Sequence, residues 1–371
     1  MIPCSKIMRG ERSVHNERKT GPLFVWNIIS RCNLLCSHCY RDSQAGMQVE
    51  DLSDKKCLEL VSQIKAVNPP IVLLTGGEPL LRKNIFEIIK ECKKQDLRVG
   101  LSTNGTLINQ AMAQKIKAAD VDYVGISIDG KKEHHDKFRG AVGAYDSSWA
   151  GLKILNELGV KTGVRFTLTA QNSVDLMDIL DKTVASGCKR FCLYHLVYAG
   201  RASKDLDMKV EDKRKILSTF FKKVKVLSKK DPSFDVLTTD NPADGIFMST
   251  IIDDGKDAMD CIMAHGGCSA GDRVVYLDST GDVYPCQFLR DHSLGNVKDK
   301  TFMEIWEDHS NEFLQQLRNK QGLLQGVCGE CAHKGICGGC RARAKAFYGS
   351  LWAQDPGCYL KEIEVRPKQI L

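Results

Sequence analysis

Eleven of the sixteen cysteines in this chain fall into two clusters, and that distribution constrains the fold more than any other feature. Three lie close together at Cys32, Cys36 and Cys39, and eight lie between Cys261 and Cys358. The other five, Cys4, Cys57, Cys92, Cys188 and Cys192, sit mostly in apolar or helical stretches and read as small core residues. Where thiols are kept reduced, structural disulfides are disfavoured, so clustered cysteines point to metal ligation or redox chemistry. The first twenty residues are polar and mixed in charge, without the apolar centre of a secretory signal. No stretch approaches the roughly 18 consecutive apolar residues of a membrane span. A cytoplasmic protein with no membrane partner, working as a monomer, is expected.

A chain of 371 residues, 43% of them hydrophobic, can bury one large α/β domain and a smaller one. The net charge of +7 is dispersed. Its densest basic stretch, 222–230, lies in a helical period and reads as a solvated face, so no nucleic-acid partner is expected. The surplus suits a polyanionic small substrate.

From Gly21 onward, short β-branched runs at 24–29, 71–75, 98–102, 123–128, 162–168 and 190–196 alternate with helical periods. Two such periods are Ile85, Ile88, Ile89, Cys92 and Leu176, Ile179, Leu180, Val184. Ser53 and Ser173 are candidate helix caps. Strands alternating with helices argue for an α/β chain of parallel βα units. Right-handed crossovers curl such units into an open, partial (β/α)6 barrel, with chemistry at the carboxyl ends of the strands. The expected divisions are an N-terminal arm (1–20), the barrel (21–205), a helical connector (206–260), a small cysteine-rich domain (261–360) and a tail (361–371). The cysteine-rich stretch has few long periodic runs, and so thin a core needs metal to hold it.

The first cluster reads Cys32-x3-Cys36-x2-Cys39, directly after the first strand. Three thiolates at these spacings can hold three irons of a 4Fe–4S cluster, leaving the fourth iron open to a ligand. The rival is a zinc site, whose nearest fourth ligand, His38, lies inside the loop at a spacing unlike zinc modules. After the second strand comes Gly76-Gly77-Glu78-Pro79. Two glycines let the backbone approach a ligand, and Glu78 offers an acceptor to a cationic amine.

Together these motifs resemble the radical S-adenosylmethionine superfamily, over residues 21–201. The resemblance implies a six-unit partial barrel, an open-iron cluster on Cys32, Cys36 and Cys39 as the catalytic group, and S-adenosylmethionine as cofactor. It also implies a cofactor cradle of Gly76, Gly77, Glu78, Pro79, Ser102, Asn104, Ser127, Asp129 and Arg139, at or just after strand ends. In the superfamily, reductive cleavage of the sulfonium yields a 5′-deoxyadenosyl radical that takes hydrogen from an unreactive carbon.

The later cysteines read Cys261-x6-Cys268-x12-Gly281-x4-Cys286, a gap, then Cys328-x2-Cys331-x5-Cys337-x2-Cys340 and Cys358. A zinc ribbon on Cys328, Cys331, Cys337 and Cys340 would leave four cysteines unexplained. The pattern resembles the auxiliary-cluster domain called SPASM. On that resemblance Cys261, Cys268, Cys286 and Cys340 hold one 4Fe–4S cluster, and Cys328, Cys331, Cys337 and Cys358 hold another, making three clusters in all. The family usually has three residues, not two, before Cys340, which loosens that residue's assignment.

Gln287 follows Tyr284-Pro285-Cys286, where the sulfatase-maturating type carries an acidic base, so that chemistry is not expected. Over residues 5–358 the chain looks like the radical proteins of heme d1 biosynthesis, the NirJ type, and their cousins in the siroheme-dependent heme pathway. The resemblance rests on Ser5–Arg9 in sequence, Val25-Trp26-Asn27, the run ending Ser127-Ile128-Asp129-Gly130, Phe138-Arg139-Gly140, and the run from Tyr194 to Arg201. It implies loss of acetate or propionate side chains from the iron tetrapyrrole 12,18-didecarboxysiroheme, with electrons from a low-potential donor such as flavodoxin or ferredoxin. Arg165, Tyr194, His195 and Arg201 are the candidate substrate residues, since arginine suits carboxylates through its bidentate fork. The alternatives are a peptide-modifying maturase of the same superfamily and a non-catalytic carrier of three clusters. The arm of about 20 residues is too short for a leader-peptide module.

Overall fold

A computed structural model describes residues 1–11, 20–252, 260, 262–264 and 267–361. The chain opens on a short helix, α1 (Cys4–Met8), and then lays down β1 (Leu23–Asn27), α2 (Asp54–Val67), β2 (Val72–Thr75), α3 (Ile85–Lys94) and β3 (Val99–Thr103). It continues with α4 (Gln110–Ala118), β4 (Tyr123–Ser127), α5 (Lys132–Arg139), α6 (Ala144–Glu157), β5 (Thr162–Leu168), α7 (Leu176–Ala185) and β6 (Arg190–His195). The local reasons are those of the sequence pattern. Helix α2 starts where Ser53 Oγ accepts from Lys56 N at 3.2 Å, and it buries Cys57, Leu60, Val61 and Ile64 on one face. Helix α3 buries Ile85, Ile88, Ile89 and Cys92 in the same way. Each buried leucine, valine or isoleucine among them stabilises the fold by about 1.5–3 kcal/mol.

Strands β1 to β6 pair in chain order and all run parallel. Their carboxyl ends therefore share one rim. Asn27 lies opposite Thr75, Thr103 opposite Ile126, Ser127 opposite Arg165, and Leu168 opposite His195. The motifs that follow these strands are delivered to that rim.

The sheet does not stop at six strands. After α8 (Val210–Lys230) comes β7 (Asp235–Thr239), parallel to β6, and then α9 (Ala243–Ser249). The stretch read as a helical connector thus holds a strand as well. Its apolar signal is weak because Val236 and Thr238 alone are buried and polar residues surround them. On the other edge, β8 (Val274–Leu277) pairs parallel with β1, and β9 (Asp282–Tyr284) and β10 (Gly295–Asn296) add antiparallel to it. Among the described residues the result is one ten-stranded sheet that carries the first cluster loop and the cysteine-rich segment together. The arm is not wholly polar either. Ile2 bridges Thr238, and Ile2, Cys4, Ile7 and Met8 enter the main core. Helices α10 (Phe302–Trp306), α11 (Glu312–Arg318), α12 (Gly326–Glu330) and α13 (Arg341–Tyr348) complete the chain. Among the described residues no helix is long and apolar enough to cross a membrane.

Candidate active site

The loop after β1 brings Cys32, Cys36 and Cys39 to the wall of one cavity at the strand rim. The loop is fixed by the neighbouring turns. Gly77 N donates to Ile29 O at 2.8 Å and Glu78 N to Arg31 O at 2.9 Å. A Cβ on Gly77 would lie 2.0 Å from Arg31 O, so glycine is required for this backbone-on-backbone contact. On the other side Arg201 N donates to Cys39 O at 3.0 Å, and its side chain donates to Cys36 O at 2.8 Å and Ser43 O at 3.0 Å.

Burial pushes Cys32 up to about 12 and raises Cys36 as well, against the pull of Arg139. Such thiols ionise when a cation arrives, as a cluster requires. Donors already face the sulfurs: Leu34 N lies 3.4 Å from Cys32 Sγ, and Arg139 Nη1 lies 3.6 Å from Cys36 Sγ. Hydrogen bonds of this kind tune iron–sulfur clusters. The donor set therefore fits a three-thiolate cluster with an open iron.

The expected cradle residues divide into two groups. Gly76, Gly77, Ser102, Asn104, Ser127 and Arg139 line the cavity with the three cysteines. Glu78, Pro79 and Asp129 do not; all three are buried behind it. Glu78 accepts from Thr103 Oγ1 at 2.7 Å, Asn104 N at 2.8 Å and Leu80 N at 3.1 Å. Burial pushes its carboxyl up to about 7 despite those donors. Asp129 is ion-paired with Arg139 and accepts from Thr167 N at 2.6 Å. Both carboxylates therefore shape the rim from beneath.

A second cavity adjoins the first and shares Arg165, Tyr194, Asp240, Gln287 and Phe288 with it. Its far wall carries Cys268, Cys286 and Cys340. Burial raises Cys286 well above the ordinary thiol range and pushes Cys340 up to about 12. Cys328, Cys331, Cys337 and Cys358 line a separate cavity of about 390 Å³ near the surface. Cys261 lies outside the described residues.

Arg165 stands between the two adjoining cavities. Its guanidinium lies 4.7 Å over the Tyr194 ring and donates to Ser102 Oγ. Among the described residues it forms no ion pair. Strand alternation puts Arg165 and Thr167 on the cavity face of β5, while Val164, Phe166 and Leu168 are buried on the other. Two other candidates are differently employed. Arg201 lines the first cavity, and its Nε and Nη2 brace the cluster loop through the Cys36 and Ser43 carbonyls. His195 Nε2 meets Asp244 Oδ2 on α9 at 2.8 Å, and Tyr359 Oη donates to Asp244 Oδ1 at 2.6 Å. Its imidazole, 1% exposed, is held against that helix.

Sequence reasoning missed Asp240 and Phe288. Asp240 sits just past β7, a strand the sequence barely signals, at a left-handed φ of 69°. Phe288 follows Cys286 by two residues but reaches the cavity only because β8 docks beside β1. Neither carries a local motif.

A profile of the Radical SAM superfamily matches residues 26–183, and one of an iron-sulfur cluster-binding domain, SPASM, matches residues 268–332. The Fe-coproporphyrin III synthase of Methanosarcina barkeri is 37% identical over 355 residues, covering 93% of this chain and 89% of the relative. The pre-heme d1 synthase of Dinoroseobacter shibae is 34% identical over 353 residues, covering 92% of this chain and 87% of the relative. The crystal structure of Streptococcus suis SuiB bound to S-adenosylmethionine superposes with a TM-score of 0.72 at 18% identity, over 92% of this chain and 78% of that one. That likeness shows a shared overall fold. The chain therefore belongs to the radical SAM superfamily, as an enzyme of its SPASM-bearing branch that works with 4Fe–4S clusters and S-adenosylmethionine.

Proposed function

We propose that this enzyme removes carboxylate-bearing side chains from an iron tetrapyrrole, with 12,18-didecarboxysiroheme as the substrate to test. The observation that carries the reading is Arg165, a guanidinium without an ion pair among the described residues, set between the cluster loop and the auxiliary cysteines. A cation so placed stabilises an anionic ligand, and its planar fork fits a carboxylate. The relatives named as tetrapyrrole synthases support the same substrate class. Each lobe of the cavity measures about 160 Å³, too small to enclose a whole macrocycle. The macrocycle then lies across the mouth, and the side chain to be lost enters between Phe288, Tyr194 and Arg165.

In this mechanism Cys32, Cys36 and Cys39 hold the open-iron cluster. Ser102, Asn104, Ser127 and Arg139 orient S-adenosylmethionine, with Gly76 and Gly77 at the cavity wall. When bound, S-adenosylmethionine would supply the carbon-radical chemistry for hydrogen abstraction from that side chain. Arg165 holds the carboxylate, and the aromatic walls exclude water from the reacting carbon. Cys268, Cys286 and Cys340, with Cys261, hold the nearer auxiliary cluster, and Cys328, Cys331, Cys337 and Cys358 the farther one. Fully ligated, both would supply electron-transfer capacity, with electrons from a low-potential donor protein.

The test is anaerobic incubation of reduced enzyme, S-adenosylmethionine and 12,18-didecarboxysiroheme, followed by mass spectrometry. The expected products are 5′-deoxyadenosine and a tetrapyrrole lacking one or two carboxylate side chains. A product matching iron coproporphyrin, which keeps its propionates, marks acetates as the groups lost. An unchanged tetrapyrrole beside a modified peptide substrate contradicts the reading.

A further inference from the structure

Both arginines of α13 are wholly buried, although a short helix at the molecule's edge could have left them in water. Arg343 grips Asp355 at two points, Nε to Oδ1 at 2.8 Å and Nη2 to Oδ2 at 3.0 Å. Its Nη1 donates to Leu196 O at 2.9 Å, just past the end of β6. Asp355 touches both auxiliary cysteine sets. Its Oδ2 accepts from Cys340 N at 2.7 Å, and its own N–H faces Cys328 Sγ at 3.3 Å. Arg341 Nη2 also faces Cys328 Sγ at 3.7 Å, while its Nη1 donates to Leu351 O and Ala353 O. A Cβ on Gly357 would lie 2.4 Å from Arg343 Nε, so glycine leaves the guanidinium its space.

A buried ion pair is weak as a stabilising device, because desolvation offsets most of the attraction and apolar replacements are often as stable. What an apolar pair cannot supply is fixed charge and N–H donors beside sulfur ligands. Those are the features through which a protein sets the potential of an iron–sulfur cluster.

We propose that the Arg343–Asp355 pair is a positioning device shared by the two auxiliary cluster sites, fixing their placement relative to β6 and shifting both potentials together. This rests on assigning Cys340 and Cys328 to different clusters, and it is independent of which substrate the enzyme takes.

The test compares reconstituted full-length Asp355→Asn, Arg343→Met and Arg343→Lys with wild type, by iron analysis and EPR-monitored redox titration of each auxiliary cluster. Asp355→Asn removes a negative charge and keeps an acceptor for Cys340 N, so both potentials rise. Arg343→Met removes the cation, so both fall, and Arg343→Lys moves both back toward wild type. A shift confined to one cluster, shifts of one sign in Asp355→Asn and Arg343→Met, or no shift overturns the proposal. Should Arg343→Met fail to hold iron, joint loss of both auxiliary clusters supports it and loss of one alone overturns it. Wild-type enzyme lacking two auxiliary clusters would instead fault the cysteine assignment, and the proposal would fall with it.

Discussion

Glu78 acts from behind the cavity wall, where its carboxyl ties the turn after β2 to Thr103 and Asn104 at the end of β3. Glu78→Gln exchanges a charge-assisted acceptor for an amide, at a cost on the order of 1.5–3 kcal/mol. The cradle then loosens, and S-adenosylmethionine affinity measured by anaerobic equilibrium dialysis is expected to fall more than tenfold while iron content holds. Unchanged affinity would contradict the brace. The same carboxyl predicts a pH dependence. Its folded value of about 7 exceeds the ordinary 4.5, so the folded state binds the proton more tightly than the unfolded state. Its contribution is therefore largest below about 4.5 and is lost as pH rises through 7, by roughly 3 kcal/mol in all. Urea melts of the iron-free chain at pH 5 and pH 8 should show this loss in wild type and a smaller one in Glu78→Gln; equal losses would contradict it. At this scale the sequence was readable where chemistry demands a spacing, as at Cys32, Cys36 and Cys39. It gave no sign that Arg343 is buried against Asp355, twelve residues on, a partnership that exists only through packing.

The contacts between the β2 turn and the cluster loop make two elements depend on one another. Gly77→Ala sets a Cβ against Arg31 O at 2.0 Å, and backbone there cannot yield without moving Cys32. Reconstituted iron is expected to fall from about twelve to about eight per chain, the open-iron cluster alone being lost. Full iron in this variant would contradict the packing account. Strands β1 to β6 were legible because each is a short apolar, β-branched run bounded by turn residues, and β1 and β2 each end in a motif. Strand β7 was not, since its alternation exposes Asp235, Leu237 and Thr239 in part and gives a mixed signal. The arm around α1 gave little signal for a related reason: Cys4, Ile7 and Met8, three apolar residues at a helical spacing, are few, and what they pack against, α8, β7 and α9, lies far along the chain.

Among the described residues one sheet joins both cysteine-bearing regions, and strand β8 beside β1 helps bring Cys268, Cys286 and Cys340 to a cavity adjoining the one the first cluster loop faces. The sequence indicated two cysteine-bearing regions but not that they would share a sheet, because parallel pairing across some 250 residues leaves no local trace. That shared architecture sets Arg165 in the lining common to the two cavities, where the proposed function has it hold a substrate carboxylate. Arg165→Met is expected to raise KM for the tetrapyrrole at least tenfold, as loss of a charged hydrogen bond implies. Steady-state kinetics with a constant KM would contradict its role. The most direct measurement follows the hydrogen itself. Substrate deuterated in the side chains to be lost is incubated with reduced enzyme and S-adenosylmethionine, and the 5′-deoxyadenosine is weighed by mass spectrometry. The account predicts one deuterium per molecule together with a tetrapyrrole short of that side chain. Unlabelled 5′-deoxyadenosine formed alongside the shortened tetrapyrrole, or an intact tetrapyrrole, would contradict it.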